Sequence, residues 1–334
     1  MLLHKNTNGF SLTEVMVAMV IGLILLGAVT TTYIAQNRSF SVQDSVTEVN
    51  TQSKIAHDMI TNDIKGAGFG TPADMDMDPI NTRTDIITPV DSTTSFDAIT
   101  IVGGFRMIGT AWPSGVSAGG ACPDYIDLAA DTFDIALNGT ATPNITDMSN
   151  LTIDGIQYFS ATAVGSGSSI TVDPPFPQNF PLVDTNGDNI CDQGRPVYLV
   201  EDITYCVTAD LSLHRIWRNA DAATCTPSLN SDDEIIAENI EDLQLAYAID
   251  ADNDGQLDDI DTDGEADYFD GGAVADPSTI RAVRVNVLAR SDIPDANYFE
   301  KGNPPALIEN RAMSATDDNF RRRWWRTIVK VRNQ

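Results

Sequence analysis

From Val15 to Ile34 the chain carries no charge and almost no polar group, a run of twenty residues. A helix of that length crosses the hydrocarbon layer of a bilayer. A short polar leader containing Lys5 precedes it and ends at Gly9; Phe10 follows, then Glu14 at the threshold of the apolar run. A cleavable secretory signal has a shorter apolar core and is cut after it. The only signal-like junction here, Gly9–Phe10, lies before the core, so cutting there would leave the anchor on the mature chain. A carboxylate at the edge of an apolar helix is costly in lipid and needs a partner. Glu14 also falls in the first turn of its own helix, where the dipole favours an anion.

The helical pattern does not stop at Ile34. Val42, Val46, Val49, Ser53, Ala56, Ile60 and Ile64 recur every three or four residues, one face of a helix. Gly66, Gly68, Gly70 and Pro72 end it, so the spacing predicts a helix over 10–65, about 80 Å long. Its first half, over about 15–34, is the transmembrane part. The stripe on its second half needs a covering, and a β-sheet is the expected one.

Residues 66–334 read as one β-rich globular region. Strands are expected at 97–105, 125–137, 151–159, 169–172, 196–208, 213–217, 280–289 and 323–331, from alternation and β-branched content. The segment 71–95 reads as a loop. Residues 234–249 read as a short helix passing into a strand at Leu243, Leu245 and Tyr247. Asn138, Asn144 and Asn150 begin sequons, read as Thr-rich turns and short strands. One long helix followed by many short strands defines an α+β class. A G-x-S-x-G match at Gly115–Gly119 lacks the strand before and the helix after that a nucleophile elbow needs. Of the three histidines only His214 lies in the globular part, and no nucleophile–base set assembles, so an enzyme is not expected.

The net charge is −28, from 48 acidic and 20 basic residues. That surface disfavours nucleic acid as a general partner. Residues 311–334 run the other way, with seven Lys or Arg and Trp324 and Trp325 among them. A single-strand-binding site has such a composition; the preferred reading is a terminal strand whose basic edge faces an acidic neighbour. Lys5 places the leader in the cytoplasm, so Cys122, Cys191, Cys206 and Cys225 face an oxidising compartment. Two disulfides are expected. Cys206 and Cys225 flank a hairpin-like stretch and are paired by preference, which leaves Cys122 with Cys191, although four cysteines allow three pairings.

Residues 250–270 hold ten carboxylates and no Lys or Arg. Two overlapping D-x-D-x-D-G-x-x-D-x-x-D matches fit them. The first uses Asp250, Asp252, Asp254, Gly255, Asp258 and Asp261; the second uses Asp259, Asp261, Asp263, Gly264, Asp267 and Asp270. Alternate aspartates converge on one point if the loop wraps around it, with the carbonyls of Gln256 and Glu265 as further ligands. Oxygen ligands suit a hard cation, so a structural Ca2+ is expected rather than zinc or copper. The twelfth position is Asp and no helix pair flanks it, which is closer to a thrombospondin-type or dockerin-like loop than to an EF-hand. Asp184, Asn186, Asp188 and Asp192 form a weaker third candidate.

The residues Gly9-Phe10-Ser11-Leu12-Thr13-Glu14 and the apolar run behind them resemble a type IV prepilin or a type II secretion pseudopilin. The resemblance implies cleavage after Gly9 by prepilin peptidase, methylation of the Phe10 amine, and a role for Glu14 in assembly. The stretches ENIEDLQLAYAID, IRAVRVNVLARS and RRRWWRTIVKVRN are similar to the PilW family of minor pilins, with the J-type pseudopilin as the near alternative. Membership implies the type IV pilin fold, with the long helix packed on an antiparallel sheet. It further implies other minor pilins and the major pilin as partners, a priming role near the pilus tip, and a tip adhesin as a further contact. The chain would stand in the inner membrane with its globular region periplasmic, and in the pilus after assembly. A pilus-associated adhesin or DNA-binding subunit is the remaining alternative.

Overall fold

The computed structural model describes residues 11–71, 85–113, 132–137, 150–153, 155, 157–164, 169–173, 195–217, 225–226, 232–295, 298, 306–313 and 318–332. Helix α1 runs unbroken from Leu12 to Gly66, 55 residues. Ser11 caps it: its hydroxyl accepts the Glu14 N–H, and the Glu14 carboxylate accepts the Ser11 N–H at 2.9 Å. The helix stops where Ala67 leaves helical dihedrals and the chain turns through Gly68 and Gly70 at positive φ. At Gly70 a Cβ would lie 2.2 Å from the Thr152 side chain, so the turn packs against the sheet only with glycine there.

The two halves of α1 differ in what surrounds them. Residues 11–41 are exposed throughout, while Val49, Ser53, Ala56, Ile60 and Ile64 are buried. The sheets supply the cover. The strands are β1 (Ile87–Val90), β2 (Ala98–Pro113), β3 (Thr132–Leu137), β4 (Asn150–Ile153), β5 (Gln157–Val164), β6 (Ser169–Asp173), β7 (Arg195–Val207), β8 (Leu213–Trp217), β9 (Asp232–Ala237), β10 (Ile240–Ile249), β11 (Phe269–Asp270), β12 (Ile280–Arg290), β13 (Leu307–Ile308), β14 (Arg311–Ala312) and β15 (Arg322–Lys330). Nine of them form one antiparallel sheet, in the order β1-β2-β3-β6-β5-β4-β7-β8-β9; β2 also pairs with β7. Four more form a second antiparallel sheet, β11-β10-β12-β15, and β13 with β14 makes a separate hairpin.

The core lies where α1 meets both sheets. Ile60 and Ile64 join Ile99, Ile101, Ile203, Leu243, Leu245, Val283, Val285 and Val287, all fully or almost fully buried. Alternation explains the register: Val283, Val285 and Val287 point to the helix side, opposite Val329, Thr327 and Trp325 of β15. Trp325 in turn meets His57 of the helix, ring centroids 5.7 Å apart. One polar pin crosses this interface. Asp63 accepts the Tyr205 hydroxyl at 2.6 Å and Arg215 Nε at 2.9 Å.

Cys206 of β7 and Cys225 are joined by a disulfide, with Cα atoms 5.7 Å apart. It closes the excursion between β8 and β9 over a separation of 19 residues. Replacing both by Ser is expected to lower stability by about 3 kcal/mol, the loop-closure figure for a ring of this size; a urea midpoint unchanged by the replacement would show that the neighbouring pairing holds the loop by itself. Cys122 and Cys191 lie outside the described residues.

Four expectations are corrected. The single strand expected at 151–159 is a hairpin of β4 and β5, paired antiparallel with Gly155 between them at φ 68°. Residues 87–90, expected within a loop, form β1, because Ile87 is buried opposite Ile101 of β2. The expected helix start near 234 is strand β9, which pairs with β8 from Asp232 to Ala237 before the chain turns at Asn239, φ 60°. The strand expected at 97–105 runs on to Pro113, bent by irregularities between Gly103 and Gly109. The Gly115–Gly119 segment and the sequons at Asn138 and Asn144 lie outside the described residues; Asn150 opens β4, where it is buried and accepts the Tyr158 hydroxyl.

Candidate functional site

At its amino-terminal end the described chain begins at Ser11, so Gly9 and Phe10 lie outside the described residues. Glu14 is placed in the first turn, and its carboxylate is engaged by the backbone of Ser11. It therefore already neutralises part of the helix's own amino-terminal charge, and a second donor would compete with or add to that contact. Beyond it, Leu23, Ile24, Leu25, Leu26 and Val29 are each more than 60% exposed. The helix is long and apolar enough to cross a membrane, and that apolar window is wholly unburied within the chain. An apolar surface this large is not left in water.

The acidic loop leaves the end of β10 and is built as a repeat of nine residues. In the first unit Asp250 accepts the N–H groups of Asp254 and Gly255 at 3.1 and 3.0 Å, Asp252 accepts that of Asp254 at 3.2 Å, and Asp254 that of Gln256 at 2.8 Å. The second unit repeats each bond nine residues on. Asp259 accepts from Asp263 and Gly264, Asp261 from Asp263, and Asp263 from Glu265. The backbone repeats too, with Asn253 and Thr262 at φ 59° and Gly255 and Gly264 at φ 85° and 92°. Those glycines satisfy the sharp turn the pattern requires.

Carboxylate oxygens of Asp250, Asp252 and Asp254 lie within 4.8 Å of one another, and so do those of Asp259, Asp261 and Asp267. Asp258 accepts the Ala251 N–H, and Asp267 that of Ile260. The Asp261 carboxyl accepts the Asp263 N–H, which lowers its pKa, yet desolvation and the charges of Asp263, Asp267 and Asp259 leave it raised overall. Asp270 is placed apart from the loop. It sits in β11 opposite Ala246, where burial and the charges of Asp91 and Glu309 raise it. The candidate at Asp184, Asn186, Asp188 and Asp192 lies outside the described residues.

A second polar cluster was not singled out from the sequence. On the face of β10 and β12 away from the helix, Asp242, Gln244 and Asn286 are each at most 1% exposed. The β13–β14 hairpin covers them. Its Glu309 accepts from Arg284 and from Asn286 at 2.6 Å, and its Arg311 pairs with Asp242. Asp97 accepts the backbone N–H groups of Ser92 at 2.9 Å and Leu245 at 2.8 Å. Burial nonetheless raises its carboxyl to about 7, with Asp91 and Asp242 adding to the rise. The signal was present as polar residues at alternate positions of both strands, opposite the apolar set.

Residues 4–30 match the prokaryotic N-terminal methylation motif. That motif stands in front of a helix with an unburied apolar half long enough to cross a membrane and a sheet-covered half, an arrangement similar to that of type IV pilins. Residues 198–333 match the model of PilW, type IV pilus-assembly protein W. Over that segment, about two fifths of its length, the chain is similar to the PilW family, and the α+β fold is the one expected from the resemblance. A type IV-like pilin from Thermus thermophilus aligns at 11% identity with a TM-score of 0.35, over 87% of this chain and 97% of that one, too low a score to bear on the argument. No curated protein matches the chain.

Proposed function

We propose that this chain is a minor pilin that primes type IV pilus assembly and is placed near the tip. The observation that carries the reading is the division of α1: one continuous helix whose upper half is fastened to both sheets and whose lower half, 11–41, is exposed throughout. Prepilin peptidase would cut after Gly9, Phe10 would be methylated, and Glu14 would face the new amino terminus of a neighbouring subunit. Other minor pilins and the major pilin are the partners the lower half would meet, with lipid of the inner membrane in their place before assembly. The test is a deletion strain, sheared to count surface pili while secreted proteins are assayed in parallel. Loss of pili with normal secretion, restored by the intact gene, is the expected result. Normal pili with blocked secretion would move the chain to the J-type pseudopilins.

The nine-residue units are proposed to hold structural Ca2+. Asp250, Asp252 and Asp254 would serve the first, and Asp259, Asp261 and Asp267 the second, because each triad gathers three hard oxygen donors within 4.8 Å of one another. Calcium is expected to protect 250–270 from proteolysis, half-maximally at about 10⁻⁴–10⁻³ M. A chelator would reverse the protection, and Asp259→Asn would remove it from the second unit first. Identical cleavage with and without calcium would reduce the loop to a solvated acidic segment.

A further inference from the structure

Among the described residues, each of the two larger sheets ends in a strand with no neighbour on one side, and these two strands carry opposite charge. β15 is the last strand of the four-stranded sheet and β9 the last of the nine-stranded one. The hydrogen bonds Ser291 N to Arg321 O and Val331 N to Arg281 O set the parity of β15. Odd-numbered residues therefore bond to β12, and the backbone groups of Trp324, Arg326 and Ile328 face outward. Arg323, Arg326 and Lys330 are exposed, and among the described residues none has a carboxylate at ion-pair distance. On β9, Asp232, Asp233 and Glu234 are exposed. Asp233 meets His214 at 2.8 Å, while Glu234 stands 3.9 Å from Arg215.

Charged residues commonly sit on sheet edges to keep other strands away. Two facts argue for more here. Both edges also expose large apolar side chains: Trp324 is 39% exposed, Ile328 53% and Ile235 55%. Each edge bears one sign only, so like edges repel and opposite edges attract, which disfavours a two-fold contact and favours a head-to-tail one.

The heights agree as well. Along α1, Arg321 lies beside Val42, and Trp325 beside His57, so β15 climbs with the helix. β9 descends, because Arg215, the partner of Glu234, bonds Asp63, and Glu238 N–H donates to Gln52 at 3.1 Å. In two copies standing parallel, β9 of one runs antiparallel to β15 of the other at overlapping heights.

We propose that β15 pairs edge to edge with β9 of a second copy of this chain, with Arg323, Arg326 and Lys330 set against Asp232, Asp233 and Glu234. The proposal deepens the pilin reading and rests on it for the parallel alignment. Held by their anchors in one membrane, the copies meet at high effective concentration, so a contact of one short strand pair suffices.

The test uses the full chain in its own membrane, with a photo-crosslinking side chain in place of Ile328 and two co-expressed copies carrying different tags. The expected product joins the two tags and maps to residues 232–238. Arg326→Glu with Lys330→Glu is expected to cut the yield about tenfold, and Asp233→Lys with Glu234→Lys to restore it. No crosslink between tags, a crosslink mapped to another segment, or one to a different protein overturns the proposal. The mass of the amino-terminal peptide from the same sample separates the two levels of the argument: an uncut leader sinks the pilin reading, whereas a cut and methylated chain without the crosslink sinks only the edge pairing.

Discussion

Unfolding the detergent-solubilised chain across a pH series is expected to show stability falling as pH rises from about 4 to 7, the reverse of ordinary acid denaturation. The cause is Asp97. The residue is 2% exposed, and its pKa is raised from 3.8 to about 7. A raised folded value means that the native state holds the proton more tightly than the unfolded chain. The stabilisation is complete below the unfolded value and is lost as pH climbs through the folded one. The full loss is on the order of 4 kcal/mol. Asp242 and Asp270, also raised by burial, act in the same direction. Asp97→Asn should flatten the steepest part of the curve. It should also cost about 1–3 kcal/mol at low pH, since an amide nitrogen then faces one of the two backbone donors. A wild-type curve that rises with pH over this range would show that the two N–H groups outweigh burial at Asp97.

Arg322→Ala is expected to cost about 3–5 kcal/mol, the figure for breaking a buried ion pair from one side. The Arg322 side chain is 2% exposed and bonds two carboxylates at once. Its Nη2 meets Glu241 at 2.8 Å, and its Nη1 meets Asp318 at 2.7 Å. It thereby fastens the first residue of β15 to β10 across β12. Arg322→Lys keeps the charge but loses the planar fork, so it should recover only part of the loss. The measurement is the urea midpoint together with proteolysis of the last strand. Equal loss in both variants would assign the effect to the fork; full recovery by Lys would assign it to charge alone.

What could be read from the sequence followed from periodicity. The Val42–Ile64 stripe repeats at helical spacing, and from Val49 on it is the face the sheets bury, whereas Val46 stays 39% exposed. IRAVRVNVLA alternates, and β12 sits in the middle of its sheet. Cys206 and Cys225 flank a local excursion, and they are bonded. The failures share a cause in tertiary pairing. Ile87-Thr-Pro-Val carries a proline and has too little pattern to announce a strand; β2 makes it one. Asp232-Asp-Glu-Ile-Ile-Ala has the composition of a helix start, yet β8 offers it an edge. Asp270 fits the acidic spacing, but its backbone is claimed by Ala246, which carries its carboxyl to Asp91 and Glu309. The buried polar face of β10 and β12 was visible as alternation; that a hairpin from residues 307–312 would close over it was not.

The acidic loop also has a natural step in length. Asp258 N–H bonds Ile249 O, and nine residues on, Asp267 N–H bonds Asp258 O. Each unit therefore ends on the same kind of bond from which the next one starts. A gene could gain or lose one such unit and return the chain to β11 in the same phase, whereas an insertion of any other size would break the ladder of N–H donors. Because lengthening a closed loop costs little entropy, this part of the surface can change its reach by whole copies while the sheets beneath it stay in register.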